Sequence, residues 1–431
     1  MDFLIHDPLT RTIAQIVVIV TTARLLGVVA RRLRQPMVIA EVVAGILLGP
    51  SLLGWLLPDV SAALFPAQSL GALQIMSQLG LVLFMFLVGL ELDVGLLRSR
   101  GHVALIISNC SIALPFVLGA LVAVYLHPHF SQPTVTLTAF ALFMGASMSI
   151  TAFPVLARIL AEGGLARTRV GAMSLACAAI NDVSAWCILA FVVATVRADG
   201  FGAALRTTLL MLTYVAVMFA LVRPLVRRLA ARVGVGESLS HNVVAALVVM
   251  AFLSSWATEV IGVHALFGAF LFGTILPKGG EFPRQLAGRI EDLVVVILLP
   301  LFFAYSGLNT QIGLLDSASD WVACGLILAI ACAGKFGGSV IPARLMGQSW
   351  REAGALGVLM NTRGLMELVV LNVGLELGVI SPAIFTMMVI MALVTTFITT
   401  PILARIYGPG ELAEELGVPA TRDQPPATAI Q

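Results

Sequence analysis

The sequence predicts an all-α polytopic membrane protein of about thirteen crossings, and three observations carry that expectation. First, 59% of the 431 residues are hydrophobic and only 11% are charged, against roughly 25% charged in an ordinary soluble domain. A water-facing surface cannot be built from 25 Lys+Arg and 23 Asp+Glu spread over this length. This excludes a soluble enzyme, a nucleic-acid binder and a disordered chain. The net charge of +2 is too small to imply an acidic partner. Second, the apolar residues fall into runs of about 20, the length of helix that hydrocarbon tolerates because its backbone is bonded internally. Third, the cations fall between the runs in an alternating pattern.

The runs lie at about 13–30, 37–53, 71–92, 103–126, 135–160, 170–193, 205–229, 243–261, 264–275, 293–308, 321–345, 353–375 and 384–406. The ninth is short for a crossing. Glycine and proline mark most joints, as at Gly49-Pro50, Pro128 and Pro277. With the N-terminus outside, the loops after the odd-numbered runs hold Arg31, Arg32, Arg34, Arg98, Arg100, Arg158, Arg167 and Arg169. Further along they hold Arg223, Arg227, Arg228, Arg232, Lys278, Arg284, Arg289, Arg344, Arg351, Arg405 and Arg422. Nineteen of the 25 cations are then cytoplasmic, and only Arg11, Arg197 and Arg206 lie outside. Removing the ninth run inverts everything after it, so the positive-inside rule favours thirteen crossings with the N-terminus out and the C-terminus in. The segment 407–431 turns polar and Pro-rich and reads as a disordered cytoplasmic tail. The N-terminal MDFLIHDPLTR carries Asp2 and Asp7 where a leader would be positive, so no cleaved signal is expected. Cys110, Cys177, Cys187, Cys324 and Cys332 sit in apolar runs without ligand spacing and read as small hydrophobic filler.

Charge inside a span is the functional signal, because a charged side chain at mid-bilayer costs at least ~2.5–3.5 kcal/mol on insertion scales. Asp182 lies twelve residues into the sixth run, beside Asn181, or ~18 Å deep. Asn or Ser would serve helix packing at lower cost, so the carboxylate reads as a site where a cation and a proton compete. Lys335 lies about 14 residues into the eleventh run, among Gly334, Gly337 and Gly338, which let other backbones come close. Two readings of it stay open: a structural partner for Asp182 or for a helix end, and a titrating group in proton coupling. Arg363 and Glu367 are four apart in the twelfth run and share a helix face. Asn361, Thr362 and Gly364 cluster beside them, which predicts a broken helix with Arg363 bonding the exposed carbonyls.

The fifth run carries a matching interruption. Pro154 removes a backbone donor and crowds the carbonyl of Ile150, with the hydroxyls of Ser147, Ser149 and Thr151 beside it. Runs five and twelve are an odd number apart and so cross in opposite directions. Paired interrupted helices in inverted halves mark a secondary transporter, with ions bound where half-helix dipoles and freed carbonyls meet. Lesser positions are Glu41 near the cytoplasmic start of the second run, an acid at a funnel mouth or a snorkelling one, and Glu91 and Asp93, read as interfacial. His264 reads as a satisfied or interfacial histidine.

PMVIAEVVAGILLGPSLLG, LVLFMFLVGLELD, ITAFPVLARIL, AAINDVSAW, PLFFAYSGLNTQIG and MNTRGLMELVVLNVG, in that order across 35–406, resemble the monovalent cation:proton antiporters of the second cation/proton antiporter family, and within it the plant cation/H+ exchanger branch. The resemblance implies one transmembrane domain over 1–406, an inverted-repeat fold with two crossed broken helices. Core helices would lie at about 103–193 and 321–406, dimerisation helices at about 13–92 and 243–308, and a linker helix at about 205–229. It further implies an ion bound at Asp182, second of the Asn181-Asp182 pair, with help from Thr151, and a basic residue matched by Lys335. Members with two acids in that pair tend to be electrogenic, whereas Asn181 stands first here.

The resulting expectation is antiport of K+ or Na+ against H+, without enzymatic chemistry. Asp182, Asn181 and Thr151 form the ion site, supported by Lys335, Arg363, Glu367, Asn361 and Pro154. No cofactor and no tightly held metal are expected. The expected partners are the cation, H+, the bilayer of the cell (plasma) membrane and a second copy of the chain, and no nucleic acid. A cation channel would need a filter such as TVGYG or a charged ring, and an intramembrane aspartyl protease would need two acids sharing a site. The sequence offers neither, the nearest second acid being Glu367 beside Arg363.

Overall fold

The computed structural model describes residues 7–33, 35–91, 101–162, 165, 168–197, 201–232, 240–278 and 281–407, and the statements below concern those residues. The tail at 408–431, Asp93, Arg34, Arg98, Arg100 and Arg167 lie outside them. In order the helices are α1 (Pro8–Arg32), α2 (Met37–Leu48), α3 (Leu53–Leu56), α4 (Pro58–Leu64), α5 (Ala67–Glu91), α6 (Gly101–Phe130) and α7 (Leu137–Ser149). Then come α8 (Phe153–Glu162), α9 (Arg169–Arg197), α10 (Phe201–Val217), α11 (Arg223–Arg232), α12 (His241–Ile261) and α13 (Ala265–Ile275). The last six are α14 (Phe282–Leu293), α15 (Leu299–Leu308), α16 (Ala318–Leu345), α17 (Trp350–Met360), α18 (Leu365–Glu376) and α19 (Pro382–Ile406).

Local chemistry sets where these helices begin. Asp7, Thr136, Ser240, Ser317, Ser349 and Ser381 each cap a helix by accepting a first-turn N–H, and Ser317 and Ser349 form capping boxes with Asp320 and Glu352. Proline sets two internal irregularities. The π-helical turns Met218–Val222 and Val294–Leu298 lie just before Pro224 and Pro300. Each proline withholds the N–H that would bond Ala220 or Val296, and the wider turn absorbs the loss. The freed Val296 carbonyl accepts from Arg24 Nη2 at 3.2 Å.

Eleven helices are long and apolar enough to cross a bilayer, or twelve when α17 and α18, bent by 40°, count as one span. The eleven-residue α13 is about half the length a crossing needs, so length alone does not reach the expected thirteen. Two expected boundaries also shift. Pro128 does not end a helix: it lies in the last turn of α6, where a missing N–H costs one bond, and the helix runs on to Phe130. The run expected to begin at 293 is preceded by α14, whose Leu286, Ala287 and Ile290 are buried while its charged residues face outward. It joins α15 through the π turn.

The helices pack chiefly in two groups. α6, α7, α8, α9, α16, α17, α18 and α19 pack on one another, and α1, α2, α5, α12, α13, α14 and α15 on one another. Small residues let backbones meet inside each group. A Cβ on Gly338 would stand 2.5 Å from the Cys110 carbonyl, and one on Gly334 2.8 Å from Pro115 Cα, so α16 lies directly on α6. Between the groups, Trp186 of α9 stacks on Phe270 of α13 at 6.0 Å. Gln74 and Gln78 of α5 both donate to Glu376 Oε1 at 2.9 Å, and Asn372 Nδ2 donates to Ser306 Oγ at 2.7 Å.

Candidate functional site

The two interrupted spans meet. Between α7 and α8 the chain is extended at Ile150, and between α17 and α18 it leaves the helix at residues 361–364. Ala152 N donates to the Thr362 carbonyl at 3.1 Å, and Thr151 Oγ1 donates to the Met360 carbonyl at 2.8 Å. A Cβ on Gly364 would reach 2.7 Å from Val155 Cγ2, so the starts of α8 and α18 touch. Carbonyls freed at a helix end inside a membrane protein need donors, and two cations supply them. Arg363 Nη1 donates to the Ile150 and Ser147 carbonyls at 2.7 and 3.2 Å, and Nη2 to the Met148 carbonyl at 2.7 Å. Lys335 Nζ donates to the Ser149 carbonyl at 2.5 Å and to Thr151 Oγ1 at 2.8 Å. Both cations also complement the negative end of the α7 dipole. Arg363 pairs with Glu367 at 3.4 Å, both side chains fully buried.

Asp182 is residue fourteen of the 29 in α9, at mid-helix, and 2% exposed. The backbone N–H of Phe153, first residue of α8, donates to its carboxylate, so the positive end of a half-helix faces the acid. Its Oδ1 has no hydrogen-bond partner. Asn181, beside it, accepts from Thr151 N at 3.0 Å through Oδ1 and donates to Ser111 Oγ at 3.2 Å. The structure thus brings Asp182, Asn181, Thr151, Lys335, Arg363, Glu367, Asn361 and the turn before Pro154 to one crossing.

Several expected roles change in detail. Of its two possible structural partners, Lys335 bonds the helix end rather than Asp182. The hydroxyls of Ser147 and Ser149 do not face the break: they bond the Phe143 and Ala146 carbonyls within α7, and it is their own carbonyls that the cations hold. His264, by contrast, is satisfied as expected: it caps α13 by accepting from Leu266 N. Residues not singled out from the sequence also contribute. Thr396 accepts from Arg363 N at 3.0 Å and donates to its carbonyl at 2.8 Å, and Ser111 anchors Asn181. Their only sequence signal is a hydroxyl in an apolar run, which many core residues share.

A cavity of about 650 Å³ leads towards the crossing, lined among others by Arg24, Arg31, Glu41, Pro154, Val155 and Leu365. A second of about 170 Å³ is lined by Phe153, Pro154 and Glu291. Both lie towards the end of the bundle where α1 finishes. Towards the other end, beneath the Gln74 and Gln78 contacts to Glu376, a cavity holds only about 20 Å³. The two larger cavities thus approach the start of α8, the half-helix that faces Asp182.

Residues 17–407 match the family described as sodium/hydrogen exchanger, transmembrane. The chain is 48% identical over 396 residues to the Na+/H+ antiporter NhaS4 of Synechocystis, covering 92% of this chain and 97% of that protein. It is 43% identical over 399 residues to the cation/H+ antiporter 19 of Arabidopsis thaliana, where 92% of this chain covers 50% of the relative, so it spans about half that protein's length. The fold is similar to that of the sodium proton antiporter MjNhaP1 of Methanocaldococcus jannaschii, with a TM-score of 0.68 over 95% of this chain and 99% of that one, at 15% identity. The chain belongs to the sodium/hydrogen exchanger transmembrane family.

Proposed function

We propose that this integral membrane protein is a secondary antiporter exchanging a monovalent cation, Na+ or K+, for H+, with Asp182 holding cation and proton in turn. The observation that carries the reading is a buried mid-helix carboxylate with a free oxygen, set against the start of α8 where two broken helices cross. A bare carboxylate in hydrocarbon is costly, so the loaded forms are the ones that cross, and this couples the two fluxes. The names borne by the Synechocystis and Arabidopsis relatives agree with this exchange.

In this reading helices within 103–193 and 321–406 form the moving core, those within 13–92 and 243–308 the scaffold of a homodimer, and 205–229 the link. The two packing groups support the division. Asn181 holds the unwound strand at Thr151, and Lys335 and Arg363 hold the break open. The cation excess supports an N-terminus outside and a C-terminus inside; with the plasma membrane as the membrane in this reading, the larger cavity faces the cytoplasm. Flux measured in sealed vesicles with Na+, K+, Li+ and Rb+ in turn tests the proposal. Wild type should move H+ against a cation, while Asp182→Asn should remain folded and inactive, since an amide neither titrates nor neutralises a cation. Normal exchange by Asp182→Asn would end the assignment.

A further inference from the structure

The antiport reading leaves open which oxygens besides Asp182 receive the cation, and the hydrogen bonds at the crossing narrow the choice. The Thr151 hydroxyl is engaged on both sides, donating to the Met360 carbonyl and accepting from Lys335 Nζ. An ammonium on the same oxygen is a poor neighbour for a second cation. Asn181 Oδ1 accepts from Thr151 N. The carbonyls of Ser147, Met148, Ser149 and Ile150 all accept from Arg363 or Lys335. Asn361 Oδ1 has no partner, but its amide group is directed to α16, where Nδ2 donates to Cys332 Sγ at 3.5 Å.

Thr362 differs from the hydroxyl and carbonyls already engaged. Its side chain is fully buried and its Oγ1 has no hydrogen-bond partner, as is true of Asp182 Oδ1. Buried hydroxyls are almost always bonded, and one left unpaired calls for an ion or water. The two oxygens belong to neighbouring pieces of chain. The Thr362 carbonyl accepts from Ala152 N, and the next N–H along, that of Phe153, donates to Asp182. The cavities come up to residues adjoining these pieces of chain, Phe153 and Pro154 after Ala152 and Leu365 after Gly364.

We propose that the Thr362 hydroxyl is a ligand of the transported cation, sharing it with Asp182 Oδ1. The inference rests on the antiport reading and names a contact within it. A hydroxyl suits both halves of the cycle. Its lone pair coordinates a hard monovalent cation when the carboxylate is ionised, and accepts a hydrogen bond from the carboxylic acid when Asp182 carries the proton. The oxygen therefore keeps a partner in either loaded state, which an apolar side chain of the same shape cannot offer.

The test is cation-dependent exchange in proteoliposomes containing full-length wild type, Thr362→Val, Thr362→Ser or Thr362→Ala. Valine keeps the shape and removes the oxygen. It should raise the apparent cation KM roughly tenfold, the effect of one lost polar contact, with a smaller change in maximal rate. Serine should restore the KM to near the wild-type value, a rescue that a purely structural role for the methyl group would not produce. Should valine fail to fold, alanine is read in the same way against serine. Equal KM values for wild type and the oxygen-free variant would overturn the assignment, as would a serine variant no better than valine. Absence of exchange in wild type would instead overturn the antiport reading, so the two failures are distinguishable.

Discussion

Arg363→Met is the substitution whose cost the structure states most directly. Arg363 is fully buried, and its guanidinium donates to three carbonyls at the end of α7 and pairs with Glu367. A buried acceptor left without its donor costs about 1–3 kcal/mol. Losing one partner of a buried ion pair costs about 3–5 kcal/mol, because the other charge is stranded. Relaxation around the smaller side chain recovers part of this. A net loss of about 5 kcal/mol remains, on the order of a whole domain's stability. At roughly 2 °C or more per kcal/mol, the midpoint of thermal unfolding in detergent should fall by at least about 10 °C, or the protein should not be recovered folded. Arg363→Met/Glu367→Leu removes the stranded carboxylate as well and should regain part of the loss. A single variant within about 2 °C of wild type would refute the carbonyl-capping role. A double variant no more stable than the single one would refute the energetic weight given to the pair.

Two further outcomes are expected. With Lys335 committed to Ser149 and Thr151, each cycle should swap one charge for one, so Na+-driven proton flux in proteoliposomes should not follow an imposed K+/valinomycin potential. A rate that tracks the voltage in wild type and loses that dependence in Lys335→Gln would show that Lys335 titrates during the cycle. Gly338→Val should force α16 away from α6, because the Cys110 carbonyl stands where its Cβ must go. The unfolding midpoint should drop by several degrees, from overpacking of about 1–3 kcal/mol, and an unchanged midpoint would contradict the close approach.

Most of the bundle was legible because hydrocarbon imposes a simple rule on composition. The runs, the broken fifth and twelfth spans and the buried charges could all be read from residues that a lipid-facing helix would not carry. What the sequence withheld was partnership. Arg363 was expected to bond carbonyls, and does so, but nothing in the order of residues says that those carbonyls belong to α7, over 200 positions away. Lys335 could have faced Asp182 or a helix end, and only the approach of α16 to the α7 break decides between them. Ser147 and Ser149 show the converse error. Their hydroxyls read as lying beside the break, yet a serine in a helix readily bonds its own preceding turn. The length of α14 was hidden because an amphipathic stretch gives no hydropathy signal.

The shortness of α13 has a mechanical consequence. At eleven residues it is only ~16 Å long, against ~30 Å for the hydrocarbon layer, and Phe270 places it against Trp186, one turn beyond Asp182 on α9. The helix that α9 meets there is thus about half a membrane long, so a displacement of α9 by about three helical turns would carry Trp186 past its whole length.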